Sequence, residues 1–165
     1  MKSDDLRALQ APLKQRYKDD PRTALVTLRA SGSLDASGVS CNVDTGRALV
    51  EAGLHPATGG SGLQACSGDM LLEALAACAG VTLRAVATAL EIPIRSGTVH
   101  VEGDLDFRGT LGVSKEVSVG FQTIRLRFEL DTGATQDQLD TLLKLTERYC
   151  VVLQTLRSPP VVSLI

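Results

Sequence analysis

The sequence is poor in the residues with which proteins bind nucleic acids. It has no tryptophan, only 3% of its residues are aromatic, and 17 lysines and arginines against 19 aspartates and glutamates give a formal net charge of −2. A nucleic-acid surface needs an excess of basic side chains for the phosphates and often uses aromatic rings that stack on bases. We therefore expect no nucleic-acid partner.

Histidine is also scarce, and the four cysteines are spread out. The two histidines, His55 and His100, flank no cysteine at the spacing of metal ligands, and no CxxC pair is present. Zinc sites normally show one or both of these patterns. We expect neither a metal nor another bound cofactor.

Long uncharged apolar runs are missing as well. No run reaches the roughly 18 residues of a membrane span without a charge, and residues 1–16, MKSDDLRALQAPLKQR, are charged and amphipathic with no hydrophobic signal core. We expect a cytoplasmic protein with no membrane partner. In a reducing cytosol, cysteines stay as thiols unless they are redox-active.

The most apolar stretch of the chain surrounds a cysteine. Residues 69–90, DMLLEALAACAGVTLRAVATAL, follow helical spacing with Cys78 at their centre. Ser67 and Asp69 can cap the start of this helix, and Pro93 lies just past its end. Because the helix is apolar on most of its circumference, it must be covered by a sheet, another helix or a second subunit.

Alternating apolar residues predict strands on both sides of that helix. In chain order these segments are residues 23–31 and 39–43, joined by a turn at Ser37-Gly38, then 47–52 as a strand or helical turn, and 97–107 and 117–130. A second helix, capped by Thr135, is predicted over residues 136–156, and residues 161–165 are predicted to form a last short strand. This order is typical of the α+β class. We expect residues 1–20 to be an N-terminal helical arm and residues 21–165 to be one domain.

Two cysteine-bearing segments together resemble a known family. MLLEALAACAGVTLRAVA around Cys78 and LTERYCVVLQTL around Cys150 are similar to the two cysteine signatures of the OsmC/Ohr family of OsmC-like and organic hydroperoxide resistance proteins. The resemblance covers residues 22–165. It implies an OsmC-like α+β fold with antiparallel sheets packed on a central thiol-bearing helix, and an intertwined homodimer.

The resemblance also implies an activity, the thiol-dependent reduction of organic hydroperoxides. Cys78 would be the peroxidatic thiol and Cys150 the resolving thiol, in a chemistry of the peroxiredoxin type. A thiolate attacks the O–O bond and becomes a sulfenic acid, which a second thiol traps as a disulfide before further oxidation. An external dithiol, such as a lipoylated protein, must then reopen the disulfide by exchange.

The sequence departs from the family at the residues that pair over the first thiol. The peroxidases of the family have an arginine in the first hairpin and a glutamate ten residues before the first cysteine. Here residues 30–38, ASGSLDASG, contain no arginine, and Gly68 lies ten residues before Cys78. The neighbouring Asp69 is the candidate replacement for the glutamate, and Val151 replaces the proline after the second cysteine. Because burial raises a thiol pKa, a nearby cation is needed, and the candidates are Arg29, Arg84 and Arg148.

Two alternatives stay open at this point. A non-catalytic protein of the same fold could bind a small hydrophobic ligand in an apolar cleft around Cys78, since cysteines on apolar helices are often core residues. Cys66, in a glycine-rich loop twelve residues before Cys78, could exchange with Cys78 in place of Cys150. We expect Cys41 to be a core residue of its strand.

Overall fold

The computed structural model describes residues 2–5, 8, 11, 19, 31–34, 40–44, 49–112 and 114–164, with the backbone alone for residues 31–34, 40–44 and 49. Of the strand predicted over residues 23–31, residues 23–30 lie outside the described residues, as does the turn at Ser37-Gly38. Within the predicted N-terminal arm, residues 3–5, 8, 11 and 19 are helical. The division into an arm over residues 1–20 and a domain over residues 21–165 stays a prediction.

The described elements mix helices and sheets. The strands are β1 (Ser31–Leu34), β2 (Ser40–Asp44), β3 (Leu49–Gly53), β4 (Ala65–Cys66), β5 (Ile94–Asp104) and β6 (Thr123–Thr132). The helices are α1 (Ser67–Ala89), α2 (Phe107–Thr110), α3 (Gln136–Tyr149) and α4 (Val151–Arg157), with a 3-10 turn at Pro56–Thr58. One sheet has the order β1-β2-β3-β4, with antiparallel pairs except for the parallel pair β3-β4, and β5 and β6 form a two-stranded sheet. The α+β prediction is confirmed.

Several boundaries differ from the sequence prediction. The sequence pattern of residues 47–52 fits either a strand or a helical turn. The structure has a strand in this region, β3 (Leu49–Gly53). The strand predicted from residue 117 begins only at residue 123. The helix predicted over residues 136–156 is interrupted at Cys150, whose φ of −72° and ψ of 106° are extended rather than helical.

The final strand predicted over residues 161–165 is wrong for its described part, because residues 161–164 have no regular structure. Their apolar side chains are exposed, with Val161 at 96%, Val162 at 87% and Leu164 at 103% of full accessibility. A strand needs a neighbouring edge whose amide and carbonyl groups it can pair with. A short apolar sequence alone does not provide that edge.

The chain divides into two compact units. The first comprises residues 1–27, 74–100 and 127–165, and the second comprises residues 28–73 and 101–126. The core of the first unit is built on Leu83, Ala87, Ile92 and Leu142. Burying a leucine side chain contributes roughly 1.5–3 kcal/mol, so this core holds the part of α1 that carries Cys78 against α3.

Helix α1 has two unlike faces. Leu75, Ala79, Leu83 and Ala87 recur every four residues and are buried, whereas Val81 is 72% exposed. By length and composition α1 is the one described helix that could cross a membrane, and a core helix of a soluble protein meets the same criterion. Within the first unit, Ala74, Ala77 and Val81 form an exposed apolar face of α1.

Candidate functional site

The first unit brings Cys78 and Cys150 together. Cys78 is half-buried in the middle of α1, and Cys150 is fully buried at the junction of α3 and α4. Both are free thiols. The two cysteines predicted to act as a pair are therefore neighbours within this unit, since each contributes to the ionisation of the other.

The chain changes direction at Cys150 because this residue ends one helix and begins the next. Its N–H donates to the carbonyl oxygen of Thr146 at 3.0 Å, and its own carbonyl accepts from the Gln154 N–H at 2.9 Å. The Cys150 side chain makes no capping hydrogen bond. The first amide groups of α4 consequently lack a partner within their own helix, as at any helix start, and can donate elsewhere.

Those amides act on the thiol of Cys78. Burial by itself raises the pKa of Cys78, but hydrogen bonds that stabilise the thiolate outweigh it, and the pKa lies below the ordinary value. The donors, in order of effect, are the N–H of Val152, the thiol of Cys150, the hydroxyl of Thr82 and the N–H of Val151.

The thiol of Cys150 behaves in the opposite way. Burial raises the pKa of Cys150, the amides of Leu153 and Val152 lower it in part, and the neighbouring Cys78 raises it further. Once Cys78 is negative, a second negative sulfur beside it is unfavourable. Of the two thiols, Cys78 therefore loses its proton more readily, and Cys150 keeps its proton to higher pH.

Two of the three candidate cations have other partners in the structure. The Arg84 guanidinium donates to the carbonyl oxygen of Ile94 at 2.9 Å, and the Arg148 guanidinium lies 5.7 Å from the centroid of the Tyr149 ring. Arg29 lies outside the described residues. Among the described residues, no arginine contributes to the lowered pKa of Cys78. A supporting role for any of the three arginines stays a prediction.

The acidic candidate is placed in the second unit. Asp69 is an exposed residue in the first turn of α1 and lines a cavity there together with Cys66 and His55. Cys66 is the half-buried last residue of β4. Cys41 lies on β2, where the structure describes the backbone alone.

Among the described residues, no group of three or more histidine, cysteine, aspartate or glutamate side chains is arranged to hold a metal ion.

The polar groups that lower the pKa of Cys78 were not predicted from the sequence. Thr82 follows Cys78 by four residues, one helical turn, and this spacing could have revealed it. The amides of Val151 and Val152 had no signal in the sequence, because they become available only when the helix breaks at Cys150.

Comparisons with known proteins agree with this architecture. The family model described as OsmC-like protein matches residues 60–165. An OsmC-like protein from Mycoplasma pneumoniae superposes with a TM-score of 0.68 at 17% identity, covering 81% of this chain and 89% of that one. An organic hydroperoxide resistance protein OsmC from Legionella pneumophila gives a TM-score of 0.62 at 19% identity, covering 81% and 90%. One from Elizabethkingia anophelis gives 0.64 at 18% identity, covering 82% and 91%.

No curated protein matches the sequence. At identities below 20%, the solved structures show a shared fold and nothing finer. The family resemblance and the OsmC-like fold predicted from the sequence are confirmed.

Proposed function

The chain belongs to the OsmC-like protein family, and from that premise we propose that it is a thiol-dependent hydroperoxide reductase that prefers organic hydroperoxides. The observation that carries the proposal is the unequal pair of thiols, Cys78 with a lowered pKa and Cys150 with a raised one. The names of the Legionella and Elizabethkingia relatives, organic hydroperoxide resistance proteins, support the same substrate class.

The first step is attack of the Cys78 thiolate on the outer oxygen of the hydroperoxide. A sulfur–oxygen bond forms, the O–O bond breaks, and the alkoxide leaves and takes up a proton to become an alcohol. Cys150 holds a proton next to the reacting sulfur because its pKa is raised, and it is the nearest thiol that can supply that proton.

The second step joins the two sulfurs. The Cys150 thiolate, left when the alcohol has taken its proton, attacks the sulfenic acid of Cys78. A disulfide forms, and hydroxide leaves and takes a proton from solvent to become water. An external dithiol then reduces the disulfide by two successive exchanges and is itself oxidised to a disulfide. We propose a small or protein-bound dithiol, such as a lipoylated protein, in this role.

The surroundings of Cys78 support a preference for an alkyl hydroperoxide. The exposed residues beside it on α1 within the first unit are apolar, namely Ala74, Ala77 and Val81. Val151, the first residue of α4, is 71% exposed. An alkyl tail that covers such a surface gains roughly 25 cal/mol for each Å² removed from water, whereas hydrogen peroxide gains nothing from it.

We further propose that the enzyme is a cytoplasmic homodimer that protects against oxidative stress. The exposed apolar face of α1 supports the dimer, because a second copy would remove that face from water. That second copy would also restrict the access of substrates to Cys78, which is adjacent to this face on α1.

A turnover assay with purified protein tests the function. Cumene hydroperoxide should be consumed in the presence of dihydrolipoamide or dithiothreitol, and Cys78→Ser should abolish consumption. Cys66→Ser is the matched control and should keep full activity. If Cys78→Ser leaves consumption unchanged, the proposal is wrong. If the protein instead binds a hydrophobic ligand saturably with no turnover, it is the non-catalytic binding protein.

A further inference from the structure

A cavity within the second unit holds chemical groups that the hydroperoxide reaction does not use. Its volume is about 310 Å³, which is within the size range of small-molecule sites. Its lining includes Cys66, His55, Asp69, Leu105, Phe107 and Phe121. Asp104 also lines it, so the cavity combines a thiol, an imidazole and two carboxylates with apolar and aromatic walls.

The parallel pairing of β3 and β4 places the thiol and the imidazole at the same edge of the sheet. Gly53, the last residue of β3, pairs with Cys66, the last residue of β4. His55 follows Gly53 by two residues. Because parallel strands end at a common edge, both side chains come to the same cavity.

The imidazole is fixed in orientation and in tautomer. The His55 ring stacks on the Phe107 ring with 4.9 Å between centroids and 17° between planes. Its Nδ1 accepts the N–H of Ala57 at 3.0 Å. A neutral imidazole that accepts at Nδ1 carries its proton on Nε2, so His55 offers an N–H donor.

Because Gly68 has no side chain, the space beside the Cys66 thiol stays unfilled. A Cβ built there would lie 3.6 Å from the Cys66 Sγ, 3.5 Å from Leu105 Cδ1 and 3.6 Å from Phe121 Cζ. The sulfur and two apolar side chains therefore face one small space. One added methyl group would occupy that space at ordinary contact distances, without a clash.

We propose that this cavity is a second reactive-thiol site, which takes small neutral α,β-unsaturated carbonyl compounds by conjugate addition to Cys66. A nucleophilic sulfur beside an N–H donor, between apolar and aromatic walls, matches a planar electrophile that develops negative charge on oxygen. The carboxylate of Asp69 on the cavity lining disfavours anionic compounds. The site does not depend on the proposed hydroperoxide chemistry.

The addition is balanced without any further reactant. The Cys66 sulfur bonds to the β-carbon, the carbon–carbon π pair moves toward the carbonyl oxygen, and that oxygen accepts a hydrogen bond from His55 Nε2. The thiol proton reaches the α-carbon through water, which gives a saturated carbonyl compound joined to the protein by a thioether. No oxidant or reductant is consumed.

The test compares two reagents on the full chain, with the rate at Cys66 followed by peptide mass mapping. Cinnamaldehyde is a neutral aromatic enal, and iodoacetamide needs only an accessible thiolate. We expect the cinnamaldehyde-to-iodoacetamide rate ratio at Cys66 to exceed the ratio in the urea-unfolded chain by at least about fivefold, the effect of one hydrogen bond. His55→Phe keeps an aromatic ring, removes the donor and should bring the ratio down toward the unfolded value.

A second variant keeps the test decisive if His55→Phe does not fold. Gly68→Ala should lower the same ratio by filling the space beside the sulfur. Gly133→Ala is the matched control, since a Cβ there meets no atom within 4 Å, and its ratio should equal that of the wild type. Equal ratios in the folded and unfolded chains, or a ratio that neither His55→Phe nor Gly68→Ala changes, would overturn the proposal.

Discussion

At the scale of single residues, chemically identical side chains acquire opposite properties from their neighbours. Hydrogen bonds lower the pKa of Cys78 in spite of burial, and burial together with the nearby thiolate raises the pKa of Cys150. The sequence shows both cysteines in apolar helical contexts and gives no reason for the difference. The proposed division into an attacking and a resolving thiol rests on the donors around each sulfur.

Thr82 provides the first prediction at this scale. Thr82→Val keeps the size of the side chain and removes the hydroxyl that stabilises the thiolate of Cys78. A hydrogen bond to a charged group contributes roughly 1.5–3 kcal/mol, so its loss should raise the pKa of Cys78. The alkylation rate of Cys78 rises as pH passes through its pKa, so the rate profile should move to higher pH.

The matched control for Thr82→Val is Thr88→Val. The Thr88 hydroxyl donates to the Arg84 carbonyl oxygen on the same helix, at 2.8 Å, so its loss should leave the profile of Cys78 in place. Coincident profiles for wild type and Thr82→Val would show that the hydroxyl does not act on the sulfur.

At the scale of elements, the break between α3 and α4 creates the site. Apolar spacing predicted one continuous helix over residues 136–156, because the apolar positions keep helical spacing across Cys150 and neither glycine nor proline stands there. The structure ends α3 at Tyr149 and starts α4 at Val151. Periodicity identified the two cysteine-bearing helices, but it does not report single extended residues.

The break gives a prediction for the amide of Val151. Val151→Pro removes this N–H, while proline suits the first position of a helix and the extended residue before it. The pKa of Cys78 should rise, and alkylation at neutral pH should slow. Val151→Ala keeps the amide and should react as the wild type does. A Val151→Pro protein with a normal melting temperature and an unchanged alkylation profile would contradict this role.

The sequence predicted helix α1 correctly and the strand at the end of the chain wrongly, for related reasons. A long apolar run around Cys78 can be satisfied within one helix, since its backbone hydrogen bonds are local. The mostly apolar residues 161–164 would need a partner strand, and no sequence pattern states where that partner lies. The helical position of Cys78 was predictable in the same way, whereas the break at Cys150 and the amide donors that it frees depend on a local backbone angle.

At the scale of the whole molecule, the exposed apolar face of α1 predicts a dimer. An interface of this kind commonly buries about 2,000 Å² or more. Val81→Lys places a charge on this face at a position that is 72% exposed in the single chain. The monomer should therefore remain folded while association is lost, as measured by sedimentation velocity at micromolar concentration.

Leu63→Lys is the control for the dimer prediction. Leu63 is 92% exposed and lies in the second unit, outside α1. The Leu63→Lys protein should therefore sediment as the wild type does. A wild-type protein that sediments as a stable monomer, or a Val81→Lys protein that stays dimeric, would contradict the assignment of this face.

The central claim, that Cys78 and Cys150 act as one redox pair, is tested most directly by mapping disulfides after oxidation. The reduced protein is treated with one equivalent of cumene hydroperoxide, digested without reduction, and its peptides are identified by mass. A Cys78–Cys150 disulfide is the predicted product, because a trapped sulfenic acid is protected from irreversible oxidation. A Cys66–Cys78 link would keep the peroxidase and reassign the resolving thiol. Two free thiols with Cys78 unoxidised would contradict the account.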